Sequence, residues 1–290
     1  MGLAFIEATV ARRDNAPMFT QLIGVDFTSA PTRRKPVTVA RGSMLGATLK
    51  LQRLDALPTL AGFEALLAEP GPWLGAFDFP FGLPREFVDS LGLGASAAAV
   101  SVELHRRCAR RMDFRALVDA WGNARPPGRR LVHRATDTAM AGVQSTSPLQ
   151  TRYVPVGFMY FEGFSRLLAA GVHLPALHEG DASRVALEAY PGFVAHELIG
   201  RRSYKNSDEA DRLIARKDLV DALEQGRWRG LRIRLTHAQR EALVDDASGD
   251  RLDAVLCLLQ AGWAATAPNH GLAPRVDPVE GWITGAQAGD

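Results

Sequence analysis

The chain has 290 residues, 47% of them hydrophobic and 23% charged, with a formal net charge of +2, the make-up of a globular protein with room for a sizeable core. It has no apolar run of about eighteen residues, which argues against a membrane-spanning helix, and its opening MGLAFIEATVARRDNAP has neither the basic leader nor the small-residue cleavage site of a secretory signal. The two cysteines, Cys108 and Cys257, make no CxxC pattern, so a disulfide framework and a zinc ribbon are excluded and a reducing cytoplasm is expected.

Residues 1–17, ahead of Met18, are expected to be a disordered extension, with residues 18–290 forming a single domain. The first element is QLIGVDFTSAP, an apolar run that climbs to one acid, Asp26, and then breaks into small polar residues; this predicts a buried strand ending in a carboxylate. PVTVARG and GATLKLQRL follow as strands, the second alternating Leu49 and Leu51 with Lys50 and Gln52. Short turns between the three predict an antiparallel meander. PTLAGFEALLAEPG sets Leu60, Phe63, Leu66 and Leu67 at helical spacing between Pro58 and Pro70. A second buried strand, WLGAFDFPFGLP, carries Asp78 near its end, and the helix before it permits a parallel crossover.

From about residue 85 to 183 the pattern turns to helices and loops, a helical insertion packed on the sheet. ASAAAVSVELHRRCARRMD, FRALVDAWG and VPVGFMYFEGFSRLLAAGV predict helices. Nine arginines crowd the stretch from Arg106 to Arg134, opposed by Asp113 and Asp119, which reads as a solvated face or as a phosphate-binding patch. RVALEAYPG, residues 184–192, returns to a strand with Glu188 near its end, and helices are predicted over 208–225, over 236–245 and from Asp250 onward.

Asp26, Asp78 and Glu188 thus each stand near the C-terminal end of a predicted strand. Singly, each has a structural explanation: Asp26 caps a turn, Asp78 organises the Phe79-Pro80 turn, and Glu188 points outward from an alternating strand. Together they gather where open α/β sheets bind ligands. SGDRLDAVLCLLQAGW adds Asp250 and Asp253, three residues apart on one face of a helix that is apolar nearly all round, with Ser248 placed to cap it. Complementing the helix dipole explains Asp250 well. Asp253 lies deeper, where a buried charge requires a partner.

On the stretches GVDFTSAP, AFDFPFGLP, LEAYPG, GDRLDAVLCLLQA and EGWI, spanning about Leu22 to Ile283, the chain resembles the DUF429 family, described as predicted ribonuclease H-like nucleases. The DxxD of the last helix is also similar to that of Holliday-junction resolvases. The resemblance implies an α/β fold of the ribonuclease H-like kind, a mixed sheet with a three-stranded antiparallel meander plus parallel strands, flanked by helices. It further implies a nuclease that hydrolyses phosphodiester bonds with two Mg²⁺ or Mn²⁺ ions, and therefore a nucleic acid partner. Asp26 would be the bridging ligand, completed by Asp78 and one or both of Asp250 and Asp253, since hard cations prefer oxygen donors. Glu188 would replace, supplement or neighbour this set. Thr28, Ser29, Arg134 and Lys205 are candidate substrate contacts. GVDFTSAPTRRK is also similar to the first phosphate loop of actin-like and sugar kinases, with Thr28, Ser29 and Lys35 toward a nucleotide phosphate. A second glycine-rich phosphate loop is lacking. A non-catalytic metal- or ligand-binding member of the fold is the third reading.

Overall fold

The apolar run predicted first forms strand β1 (Gln21–Asp26), which lies at the middle of a seven-stranded sheet in a computed structural model describing residues 19–287. The extension expected over residues 1–17 lies outside the described residues. In chain order there follow β2 (Val37–Leu45), β3 (Thr48–Leu57), α1 (Leu60–Leu67) and β4 (Trp73–Phe77). The insertion supplies α2 (Arg85–Leu91), α3 (Ala97–Arg107), α4 (Arg111–Asn123), α5 (Ala135–Thr138), α6 (Val156–Ala169) and the two-residue β5 (Val172–His173). The chain then runs through β6 (Asp181–Glu188), α7 (Pro191–Ile199), α8 (Ala210–Glu224), β7 (Arg232–Arg234), α9 (His237–Val244) and α10 (Asp250–Ala264).

The strand order is β5-β6-β4-β1-β2-β3-β7. β1, β2 and β3 form the expected antiparallel meander, whereas β4 runs parallel to β1 and β6 parallel to β4. The mixed α/β architecture is therefore the predicted one. No helix among the described residues is long and apolar enough to cross a membrane.

Several local boundaries differ from the sequence reading. The strand around Glu188 starts earlier, at Asp181, and stops at Glu188, because Pro191 opens α7 at a position where its missing N–H costs nothing. The first long insertion helix breaks at Cys108–Arg110, and Met112 and Asp113 belong to α4, where Asp113 accepts a hydrogen bond from the Arg110 backbone N–H at 2.9 Å. Gly249, with φ of 81°, caps α10 in place of Ser248, whose hydroxyl accepts from the Asp250 N–H one step further on.

Alternation along the strands divides the core between the two faces of the sheet. Ile23, Val25, Trp73 and Phe77 face the insertion and pack with Phe63, Phe87, Phe114 and Phe164. Leu22, Leu74, Val185 and Leu187 face the C-terminal helices and pack with Leu219, Leu252 and Val255. α10 is buried along nearly its whole length, and it reaches the sheet through a glycine. A Cβ on Gly24 would stand 2.1 Å from the Leu258 nitrogen and 2.2 Å from the Ala254 carbonyl oxygen. Both obstacles are helix backbone and cannot swing aside. Gly24→Ala is therefore expected to destabilise the fold by about 3 kcal/mol, toward the upper end of overpacking costs, and to lift the acidic head of α10 from the sheet. Urea unfolding with parallel Mn²⁺ titration measures both effects.

Candidate metal centre

The register of β1 and β4 places Val25 beside Phe77, so the next residues, Asp26 and Asp78, emerge together at one edge. The Asp78 N–H donates to the Val25 carbonyl at 2.9 Å, which locks the two ends side by side. By strand parity both follow Leu22 and Leu74 onto the α10 face, and the close approach at Gly24 sets the first turns of α10 above them. Carboxylate oxygens of Asp26, Asp78 and Asp253, one from each, all lie within 4.8 Å of one another.

Asp253 is 2% exposed and is held at both oxygens. The Tyr204 hydroxyl donates to one and the Lys205 ammonium to the other. Gly249 makes this possible: a Cβ there would stand 2.6 Å from the Lys205 Cβ. Asp250 lies outside the tight trio and pairs with Lys35, Nζ to carboxylate 2.9 Å. Thr28 is half-buried and Ser29 buried in the loop that follows Asp26. The Ser29 carbonyl accepts from the Arg111 guanidinium at 3.3 Å.

Glu188 faces the other way. It is paired with Phe77, one residue before Asp78, and so projects to the insertion side of the sheet. There its carboxylate accepts from the Arg134 guanidinium at 2.5 and 2.8 Å and from the Phe81 N–H at 2.9 Å. Arg134 also donates through Nε and Nη2 to Asp137 and through Nη1 to the Glu280 carbonyl. All five of its N–H groups are thereby used within the protein, and it works as a tether among the insertion, β6 and the C-terminal segment. Other arginines of the rich stretch are also paired: Arg106 and Arg107 with Glu103, and Arg125 with Glu86. Tyr204 is the site residue that sequence reasoning passed over. Its signal was its place beside Lys205 in RRSYKNSD.

Three acids this close repel one another. Burial raises the Asp26 carboxyl well above the usual carboxylate range, and Asp253, Asp78 and Asp250 add to it against the opposing pull of Lys205. Burial and then Asp253 push Asp78 up to about 7, again opposed by Lys205. Burial would lower the Lys205 pKa, but Asp253 and Asp78 outweigh it and keep the ammonium charged. One ammonium against three carboxylates leaves a deficit of two positive charges, and the donors are all hard oxygens. Such a set suits a divalent Mg²⁺- or Mn²⁺-like cation.

This arrangement predicts how stability depends on pH. In the metal-free protein Asp78 keeps its proton up to about pH 7, whereas in the unfolded chain it releases it near pH 3.9. The folded state therefore binds more protons between those values, and stability falls as pH rises through that window. Thermal melts in EDTA should show Tm declining from pH 5 to pH 8. Added Mn²⁺, which needs the ionised carboxylates, should raise Tm by several degrees at pH 8 and much less at pH 5.

No curated protein and no solved structure matches the chain. A family model described as "Protein of unknown function (DUF429)" matches residues 24–277, a span that takes in every residue of the acidic centre, and the chain belongs to that family.

Proposed function

We propose that this protein is a nuclease that hydrolyses phosphodiester bonds of nucleic acid with Mg²⁺ or Mn²⁺ held by Asp26, Asp78 and Asp253. The observation that carries this reading is the convergence of three carboxylates from β1, β4 and α10 to within 4.8 Å. The sheet in which they sit supports it, since the meander followed by parallel strands is the arrangement expected of a ribonuclease H-like enzyme. When bound, such ions activate a water and stabilise the leaving oxygen.

The protein's own residues prepare that chemistry. Asp26 joins the trio from the end of β1, Tyr204 and Lys205 hold Asp253 in place, and the Lys205 side chain, 36% exposed, offers a positive charge to a phosphate oxygen at the rim. Lys35 balances Asp250 just outside the trio. Both cysteines are free and buried, which suits work in a reducing cytoplasm. The test is a cleavage panel over RNA, DNA, hybrid and branched substrates with Mg²⁺ or Mn²⁺. Metal-dependent cleavage of at least one class is expected. ATP turnover with a small acceptor and no strand cleavage would favour the kinase-like reading, and metal binding with neither activity a non-catalytic role.

A further inference from the structure

A cleft of about 230 Å³ opens directly beside the acidic centre and shares Asp78 and Lys205 with it. Its other walls come from the insertion, the end of β6, the residue that caps α7 and the C-terminal segment. Met159 and Val156 of α6, Ile283 of the C-terminal segment and the ring of Tyr190 provide apolar surface. This volume lies below the roughly 300–1,000 Å³ of sites for drug-sized ligands; it suits one flat heterocycle and has no room for a base pair. An apolar group also stands in water on its wall, where Val154 is 58% exposed. Apolar surface of this kind beside a cleft is what an unstacked base packs against.

We infer that this cleft takes the base of an unpaired nucleotide whose phosphodiester lies on the acidic centre, so that the substrate is single-stranded at the point of cleavage. The inference rests on the nuclease reading and narrows it. A base drawn into the cleft has left its partner strand, and because Asp78 and Lys205 belong to both the cleft and the acidic centre, the base's own phosphodiester is the one nearest the trio. A continuous duplex cannot present a base there without extruding it, at a cost of a few kcal/mol in lost stacking and pairing.

The experiment is fluorescence anisotropy on the full chain, with Ca²⁺ in place of Mn²⁺ to limit cleavage. It uses a labelled single strand, the same strand in a blunt duplex, and an abasic phosphodiester strand of equal length. The single strand should bind about tenfold more tightly than either of the others, the scale that one stacked base supplies. Met159→Trp, which fills the cleft, should reduce single-strand binding to the abasic level while Mn²⁺ affinity stays within twofold. Thr146→Trp, at the exposed rim of the same cleft, repeats the test should the first variant fail to fold. Equal affinity for the single strand and the abasic strand, or for the single strand and the duplex, overturns the inference and leaves the nuclease reading standing. Failure to bind any nucleic acid while Mn²⁺ still binds overturns both.

Discussion

Asp26→Asn is expected to abolish metal-dependent cleavage and, at the same time, to make the metal-free protein more stable. The first effect follows from donor chemistry. The substitution keeps the shape of the side chain but removes an anionic oxygen of the trio, and a neutral carboxamide is a poorer ligand for a hard divalent cation than a carboxylate. Lewis-acid stabilisation of the transition state is worth several kcal/mol, so at about 1.4 kcal/mol per factor of ten the loss in rate should be on the order of 10³-fold or more. The second effect follows from electrostatics. Burial, Asp253 and Asp78 all oppose ionisation of Asp26, and an asparagine there mimics the protonated form. The gain in Tm should therefore grow as pH rises and the wild-type carboxyl is forced to ionise, and shrink as pH falls. Asp250→Asn provides the contrast. Its carboxylate is paired with Lys35 outside the trio, so Mn²⁺ affinity should fall less than tenfold. Equal losses for the two variants would make Asp250 a ligand. Undiminished Mn²⁺ binding by Asp26→Asn would remove the trio as the metal site.

Much of this centre was legible in the sequence because strands advertise their ends. QLIGVD and WLGAFD each run apolar up to one acid, and two parallel neighbours in register must deliver those acids to the same edge. α10 was equally plain, since a helix without a polar face has to be buried. What local pattern does not carry is the parity between strands. Glu188 also ends a strand, but its register with Phe77 and not with Asp78 turns it to the opposite face, and a one-residue offset is settled only when the strands pair. The tether role of Arg134 was hidden for a related reason. Within the stretch from Arg106 to Arg134 it is one arginine among nine, and its distinction is being 1% exposed. Three short elements, β5, α5 and β7, have from two to four residues, too few for a periodicity to show.

The buried position of Arg134 leads to the largest stability effect expected of any single substitution outside the sheet. The guanidinium lies between Asp137, which is fully buried, and Glu188, which is 3% exposed, and it is the charge that both carboxylates face. Replacing it with methionine keeps much of the volume but strands two acids in the core, with Ser145 and the backbone N–H groups of Arg134 and Phe81 as their remaining partners. Breaking such a buried network costs about 3–5 kcal/mol, which for a chain of this size lowers Tm on the order of 10 °C. Glu188→Gln alone leaves the Arg134–Asp137 pair intact and should cost less. It should also leave Mn²⁺ affinity within a few-fold of wild type, because the side chain projects from the face opposite the trio. The two substitutions share one network, so their effects should not add: Arg134→Met combined with Glu188→Gln should be more stable than Arg134→Met alone, because one of the two stranded charges is gone. Thermal and urea unfolding of the four proteins close this double-mutant cycle. Strict additivity would mean that the ion pair contributes nothing. Loss of Mn²⁺ binding in Glu188→Gln with the fold intact would move Glu188 from the tether into the metal centre.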